Sequence, residues 1–145
     1  MQEFQTIEQV LDYAIAREDE AAKLYRELSD NVSRPGMREA FLDFAAEEGR
    51  HKARLIEIKR GDLPAVTGEQ VSALGIADTL AEVTPSDRMT YAEALAFAIR
   101  AEKAAKQLYT DIAELVPPDL AAVFRSLAAE EAKHQLRFER EYDDN

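Results

Sequence analysis

The fold is decided by Phe41–His51, F-L-D-F-A-A-E-E-G-R-H, and by its near copy Phe124–His134, F-R-S-L-A-A-E-E-A-K-H. Each copy ends in Glu-x-x-His, Glu48 with His51 and Glu131 with His134, and the chain has no other histidine. Upstream of each lies a second repeated stretch. Ala14–Tyr25 reads A-I-A-R-E-D-E-A-A-K-L-Y, and Ala98–Tyr109 reads A-I-R-A-E-K-A-A-K-Q-L-Y. Each of these carries a glutamate with a tyrosine seven positions on, Glu18 with Tyr25 and Glu102 with Tyr109. A duplicated Glu plus Glu-x-x-His is the ligand pattern with which a helical bundle holds two metal ions side by side.

Working outward, the spacing predicts four long helices, over about 6–32, 35–60, 90–116 and 118–142. Thr6 with Gln9, and Thr90 with Glu93, have the form of capping boxes. Ser33-Arg34-Pro35-Gly36 marks the first turn, and Pro117-Pro118 the last. Between them, about 61–89 is too long for a tight turn. Its Val71, Leu74, Ile76, Leu80 and Val83 suggest a segment packed on the bundle, with room for a short helix. A helix of about 26 residues spans about 39 Å, which this segment can cross. The expected fold is all-α: two antiparallel hairpins joined by a long crossover, in one domain over 1–145.

Alternate steps of four and three along each helix trace core seams. They run Ile7, Leu11, Ala14, Glu18, Ala21, Tyr25, Leu28, Val32, then Met37, Phe41, Phe44, Glu48, His51, Leu55, Ile58. The second hairpin gives Tyr91, Leu95, Ala98, Glu102, Ala105, Tyr109, Ile112, Val116, then Leu120, Phe124, Leu127, Glu131, His134, Phe138, with Glu141 where the helix is expected to fray. Each seam is apolar except at its middle. Glu18 lies fourteen residues before Val32 and Glu48 fourteen after Arg34, while Glu102 lies fourteen before Val116 and Glu131 thirteen after Pro118. In antiparallel hairpins all four carboxylates then share one height.

Four buried carboxylates at one level need either protons or cations. Two divalent ions balance four glutamates and two neutral histidines. Oxygen and imidazole ligands without thiolate suit iron, manganese or zinc. Glu47 and Glu130 sit one position off the seam and are read as exposed or as supports to the ligands. Tyr25 and Tyr109 are read as core residues whose hydroxyls are satisfied locally, or as donors to a ligating carboxylate.

Composition limits the alternatives. A net charge of -11 argues against nucleic acid. The absence of cysteine excludes disulfides, zinc fingers and thiol catalysis. No apolar run approaches the roughly 20 residues of a membrane span. The first residues show no signal peptide, so the expected location is cytoplasmic.

The paired E-x6-Y and E-x-x-H motifs resemble the ferritin-like di-iron superfamily, and its rubrerythrin-like branch in particular. The resemblance covers both hairpins. It implies a ferritin-like four-helix bundle holding two iron ions, with manganese or zinc as alternatives. It also implies Glu18 and Glu102 as terminal ligands, Glu48 and Glu131 as bridges, and His51 and His134 as one ligand per ion. Hydrogen peroxide or dioxygen is the implied reactant, for peroxidase or ferroxidase chemistry in oxidative-stress defence or iron handling.

Rubrerythrins proper carry a cysteine-bearing rubredoxin domain that delivers electrons. This cysteine-free chain implies an external electron donor. They also place an extra glutamate where this chain has Ala105, and a glutamate where it has His134. The symmetric set here resembles the ferroxidase centre of bacterioferritins. A homodimer is expected, with helix exchange allowed by the long crossover. The alternative is a non-catalytic metal-binding module that buffers or senses iron. An oxygenase would need a substrate channel, for which the seam alanines either make room or permit close packing.

Overall fold

The computed structural model describes residues 4–32, 35–74 and 90–144. Five helices occupy them: α1 (Ile7–Asn31), α2 (Pro35–Arg60), α3 (Gly68–Ser72), α4 (Tyr91–Ala113) and α5 (Pro118–Asp144). The four long ones form an all-α, ferritin-like bundle. α1 packs chiefly on α2 and α4 on α5, while α1 also meets α4 between the hairpins. No described helix is long and apolar enough to cross a membrane. The expected turn at Ser33-Arg34 and the crossover residues Ile76, Leu80 and Val83 lie outside the described residues.

Helix starts follow local chemistry. At α1 the Thr6 hydroxyl accepts from the Gln9 amide at 3.1 Å, and the Gln9 side chain accepts from the Thr6 amide at 3.2 Å. Thr90 and Glu93 exchange the same pair of bonds at α4, both at 3.1 Å. Each pair satisfies amides that the first helical turn leaves without partners. A third box, Thr67 with Gln70, opens α3 within the crossover. Pro118 takes the first position of α5, where its missing amide costs nothing.

Two boundaries differ from the expected ones. α4 ends at Ala113 rather than near Val116, because its last turn tightens: the Glu114 amide bonds to the Asp111 carbonyl and the Leu115 amide to the Ile112 carbonyl. Val116 precedes Pro117, and a residue before proline is pushed out of the helical region. At the other end, α5 does not fray at Glu141. It continues to Asp144, and Glu141 is buried, accepting a hydrogen bond from the Tyr91 hydroxyl at 2.7 Å.

The buried apolar side chains form two clusters. One joins the start of α1 and the end of α2 to the end of α4 and the start of α5, through Val10, Leu11, Leu55, Ile112, Phe124 and Leu127, and Val71 and Leu74 of the crossover pack into it. The other occupies the opposite end, with Leu28, Phe41, Leu95 and Phe138. There Phe41 stacks on Phe138 with ring centroids 5.7 Å apart. Each such fully buried side chain contributes about 1.5–3 kcal/mol. Between the clusters lies a polar layer.

Candidate metal centre

That layer consists of Glu18 from α1, Glu48 and His51 from α2, Glu102 from α4, and Glu131 and His134 from α5, each no more than 3% exposed. The structure brings all six predicted site residues together. Their ligand atoms fall into two groups, Glu18, Glu48, His51 and Glu131, and Glu48, Glu102, Glu131 and His134, with the atoms of each group within 4.8 Å of one another. Glu48 and Glu131 belong to both groups, which places them between the two positions.

The arrangement is close to two-fold symmetric. His51 Nδ1 lies 2.9 Å from Glu131 Oε1 and 3.5 Å from Glu18 Oε2. His134 Nδ1 lies 3.0 Å from Glu48 Oε1 and 3.7 Å from Glu102 Oε1. The imidazole rings are nearly parallel, 14° apart in plane with centroids separated by 6.4 Å. Each histidine therefore turns Nδ1 inward, with its nearest carboxylate on the opposite hairpin.

Each outward Nε2 is held by a carboxylate from that same opposite hairpin. Glu130 meets His51 and Glu47 meets His134. These are the two off-seam glutamates, and both parts of their reading apply: the side chains are partly exposed, and each reaches an imidazole. A carboxylate on one ring nitrogen fixes the tautomer and leaves the other nitrogen as a lone-pair donor. The tyrosines are reciprocal as well: Tyr25 donates to Glu102, and Tyr109 donates to Glu18 at 2.5 Å. Periodicity places residues on a face but does not say which neighbour across the bundle they reach, so these four cross-pairings were not readable from it.

Burial and crowding set the protonation of the metal-free layer. Burial raises the carboxyl pKa values of Glu48 and Glu131 well above the ordinary range, and the charge of Glu102 adds to both. Burial alone would lower the imidazole pKa values. The carboxylates of Glu18, Glu48 and Glu130 outweigh it at His51 and raise its pKa to about 9. Those of Glu102 and Glu48 do so at His134, to about 11. Burial, followed by the facing glutamate, also pushes both tyrosine hydroxyls upward. Protons thus stabilise a layer of negative charge that cations would neutralise more completely.

The residues present fit a pair of metal ions. One buried atom of each of the six, Glu18 Oε2, Glu48 Oε1, His51 Nδ1, Glu102 Oε2, Glu131 Oε1 and His134 Nδ1, makes no well-formed hydrogen bond, although His51 Nδ1 with Glu131 Oε1 and His134 Nδ1 with Glu48 Oε1 lie at ion-pair distance. Buried polar atoms are normally satisfied. Donor atoms on all six residues, converging on two points within an apolar core, form a set that two cations would complete. The donor set is oxygen and imidazole nitrogen, suited to iron, manganese or zinc.

A family profile described as rubrerythrin matches residues 9–70 and 93–145, which takes in both hairpins and all six residues of the layer. No curated protein and no solved structure matches the chain. With its ferritin-like bundle and buried glutamate–histidine layer, the chain belongs to the rubrerythrin family.

Proposed function

We propose that this protein is a di-iron oxidoreductase that reduces hydrogen peroxide or dioxygen, either as a peroxidase or in oxidising ferrous iron. The single observation that carries the reading is the convergence of six buried ligand-type side chains into two groups that share Glu48 and Glu131. Glu18 and His51 would hold one ion, Glu102 and His134 the other, and Glu48 and Glu131 would be shared. When bound, the iron pair supplies redox electrons and Lewis acidity. The protein's own residues do the rest. Glu47 and Glu130 orient the imidazoles, Tyr25 and Tyr109 hold the two unshared carboxylates, and the apolar clusters keep both ends of the layer dry. Electrons come from an external donor, and the working unit is a homodimer in the cytoplasm.

The test is anaerobic loading with ferrous iron followed by rapid mixing with peroxide. Two iron equivalents per chain and a fast near-ultraviolet absorbance change are expected. Absence of that change with iron bound would remove the catalytic reading. A non-catalytic iron-binding module is the second reading. It is favoured by Ala105, which leaves no further carboxylate beside the layer at that position. Iron uptake without turnover of peroxide or oxygen would establish it.

A further inference from the structure

We infer that a cavity between α1 and α4 is a binding site for a small apolar organic molecule, about the bulk of one aromatic ring, seated against the carboxylate side of the layer. The cavity has a volume of about 110 Å³. Its lining surface is mainly apolar and includes five alanines, Ala14 and Ala21 from α1 and Ala101, Ala104 and Ala105 from α4, alongside polar residues such as Arg17 and Gln107. Leu74, just beyond α3, lies at its edge, and Glu18, Glu48, Glu102 and Glu131 form its inner end. Neither histidine lines it, so the cavity opens on the side of the layer away from the imidazoles.

Size and polarity identify the occupant. A water molecule takes about 30 Å³ of liquid volume, and an apolar cavity of about 150 Å³ takes up benzene. Peroxide or dioxygen alone would need far less room than this one offers. A second helix is excluded by the same measure, being about 10 Å across. An empty apolar void weakens a fold in proportion to its volume, and leucine at any of several alanine positions would fill it. The space that seam alanines can create is therefore real here, where close helix packing was the other expectation. A molecule bound in it would lie beside the carboxylates of Glu18 and Glu102 at the inner end of the cavity.

The site is built from protein alone and stands apart from the metal reading, so it can be tested on metal-free protein. Protein carrying ¹³C-methyl alanine is titrated with toluene and followed by nuclear magnetic resonance. Saturable one-to-one ring-current shifts are expected at the methyls of Ala14, Ala21, Ala101, Ala104 and Ala105, and none at Ala121 or Ala128, which are buried in the apolar cluster at one end of the bundle. Ala104→Leu and, separately, Ala101→Val should each weaken toluene binding at least tenfold while circular dichroism shows an intact fold. If one variant does not fold, the other decides.

No saturable shift in the wild type, or undiminished binding in a folded filled variant, overturns the proposal. The same methyls shifting when the protein is concentrated without toluene would assign the cavity to a second copy, and overturns it too. Zinc titration of the same samples keeps the two readings separate. Toluene binding without zinc uptake removes only the metal reading, and zinc uptake without toluene binding removes only this one.

Discussion

Tyr109 on α4 reaches across the bundle to donate its hydroxyl to Glu18 on α1 at 2.5 Å, and Tyr25 on α1 returns the contact to Glu102 on α4. The two bonds tie the hairpins together at the layer and give each unshared carboxylate its own donor. Tyr109→Phe should keep the helical fold and lower stability by about 1–3 kcal/mol, the range for a lost bond to a charged group. It should weaken metal binding at the Glu18–His51 position only, and Tyr25→Phe at the other. Urea unfolding with metal titration checks this; equal weakening of both positions by either variant would contradict it.

Glu47 and Glu130 make a graded prediction. Replacing Glu130 by Gln keeps a possible acceptor for His51 Nε2 but removes the charge, while Glu130→Ala removes both. Metal affinity should fall about 10–100-fold for the alanine variant and by less for glutamine. Glu47→Ala should act in the same way through His134. Chelator competition measures both. Unchanged affinity in the alanine variants would show that the imidazoles hold their orientation without these partners.

The metal-free protein should lose stability as pH rises. Glu48, Glu131, His51 and His134 all have folded pKa values above their unfolded ones. The folded state therefore binds more protons than the unfolded state, and stability falls with pH across that window. The carboxyl contribution is present below about 4.5 and declines above it. The histidine contribution is full below 6.5 and is lost as pH passes about 9 for His51 and about 11 for His134. Denaturation at pH 5, 7 and 9 should show a steady decline that two equivalents of zinc abolish, with protons released on binding. A metal-free protein more stable at pH 9 than at pH 5 would refute this.

Stability and metal binding should oppose each other. Replacing all six layer residues, Glu18, Glu48, His51, Glu102, Glu131 and His134, by leucine removes each buried carboxyl together with its imidazole partner. Replacing buried charged groups in this way is often neutral or stabilising, by about 1–4 kcal/mol. The six-fold variant should melt higher than metal-free wild type and bind no ion tightly. A lower melting temperature would mean that the layer stabilises the fold even without metal.

What the sequence revealed was whatever periodicity and local chemistry control. Capping boxes at Thr6 and Thr90 placed two helix starts, and the seams put all six layer residues inside. The box at Thr67 with Gln70 has the same form and opens the short helix for which the crossover has room. Tyr91 and Glu141 stood at the ends of their seams, but only the packed bundle shows that they meet and hold the end of α5 in place. The reach of Glu47 and Glu130 into the opposite hairpin depends on the rotation of one helix pair against the other. The cavity depends on how far α1 and α4 stand apart. Neither distance is written in a repeat of sevens.

The polar layer also divides the interior in a way that matters for cooperativity. The two apolar clusters lie on opposite sides of it, and each draws side chains from both hairpins. Neither hairpin can therefore open alone without breaching both clusters. The two ends of the bundle are joined by the four long helices and, at the waist, by six polar side chains. Ions bound there would act as a rivet, so that slow amide hydrogen exchange spreads along the whole bundle, whereas without them each end can open on its own schedule.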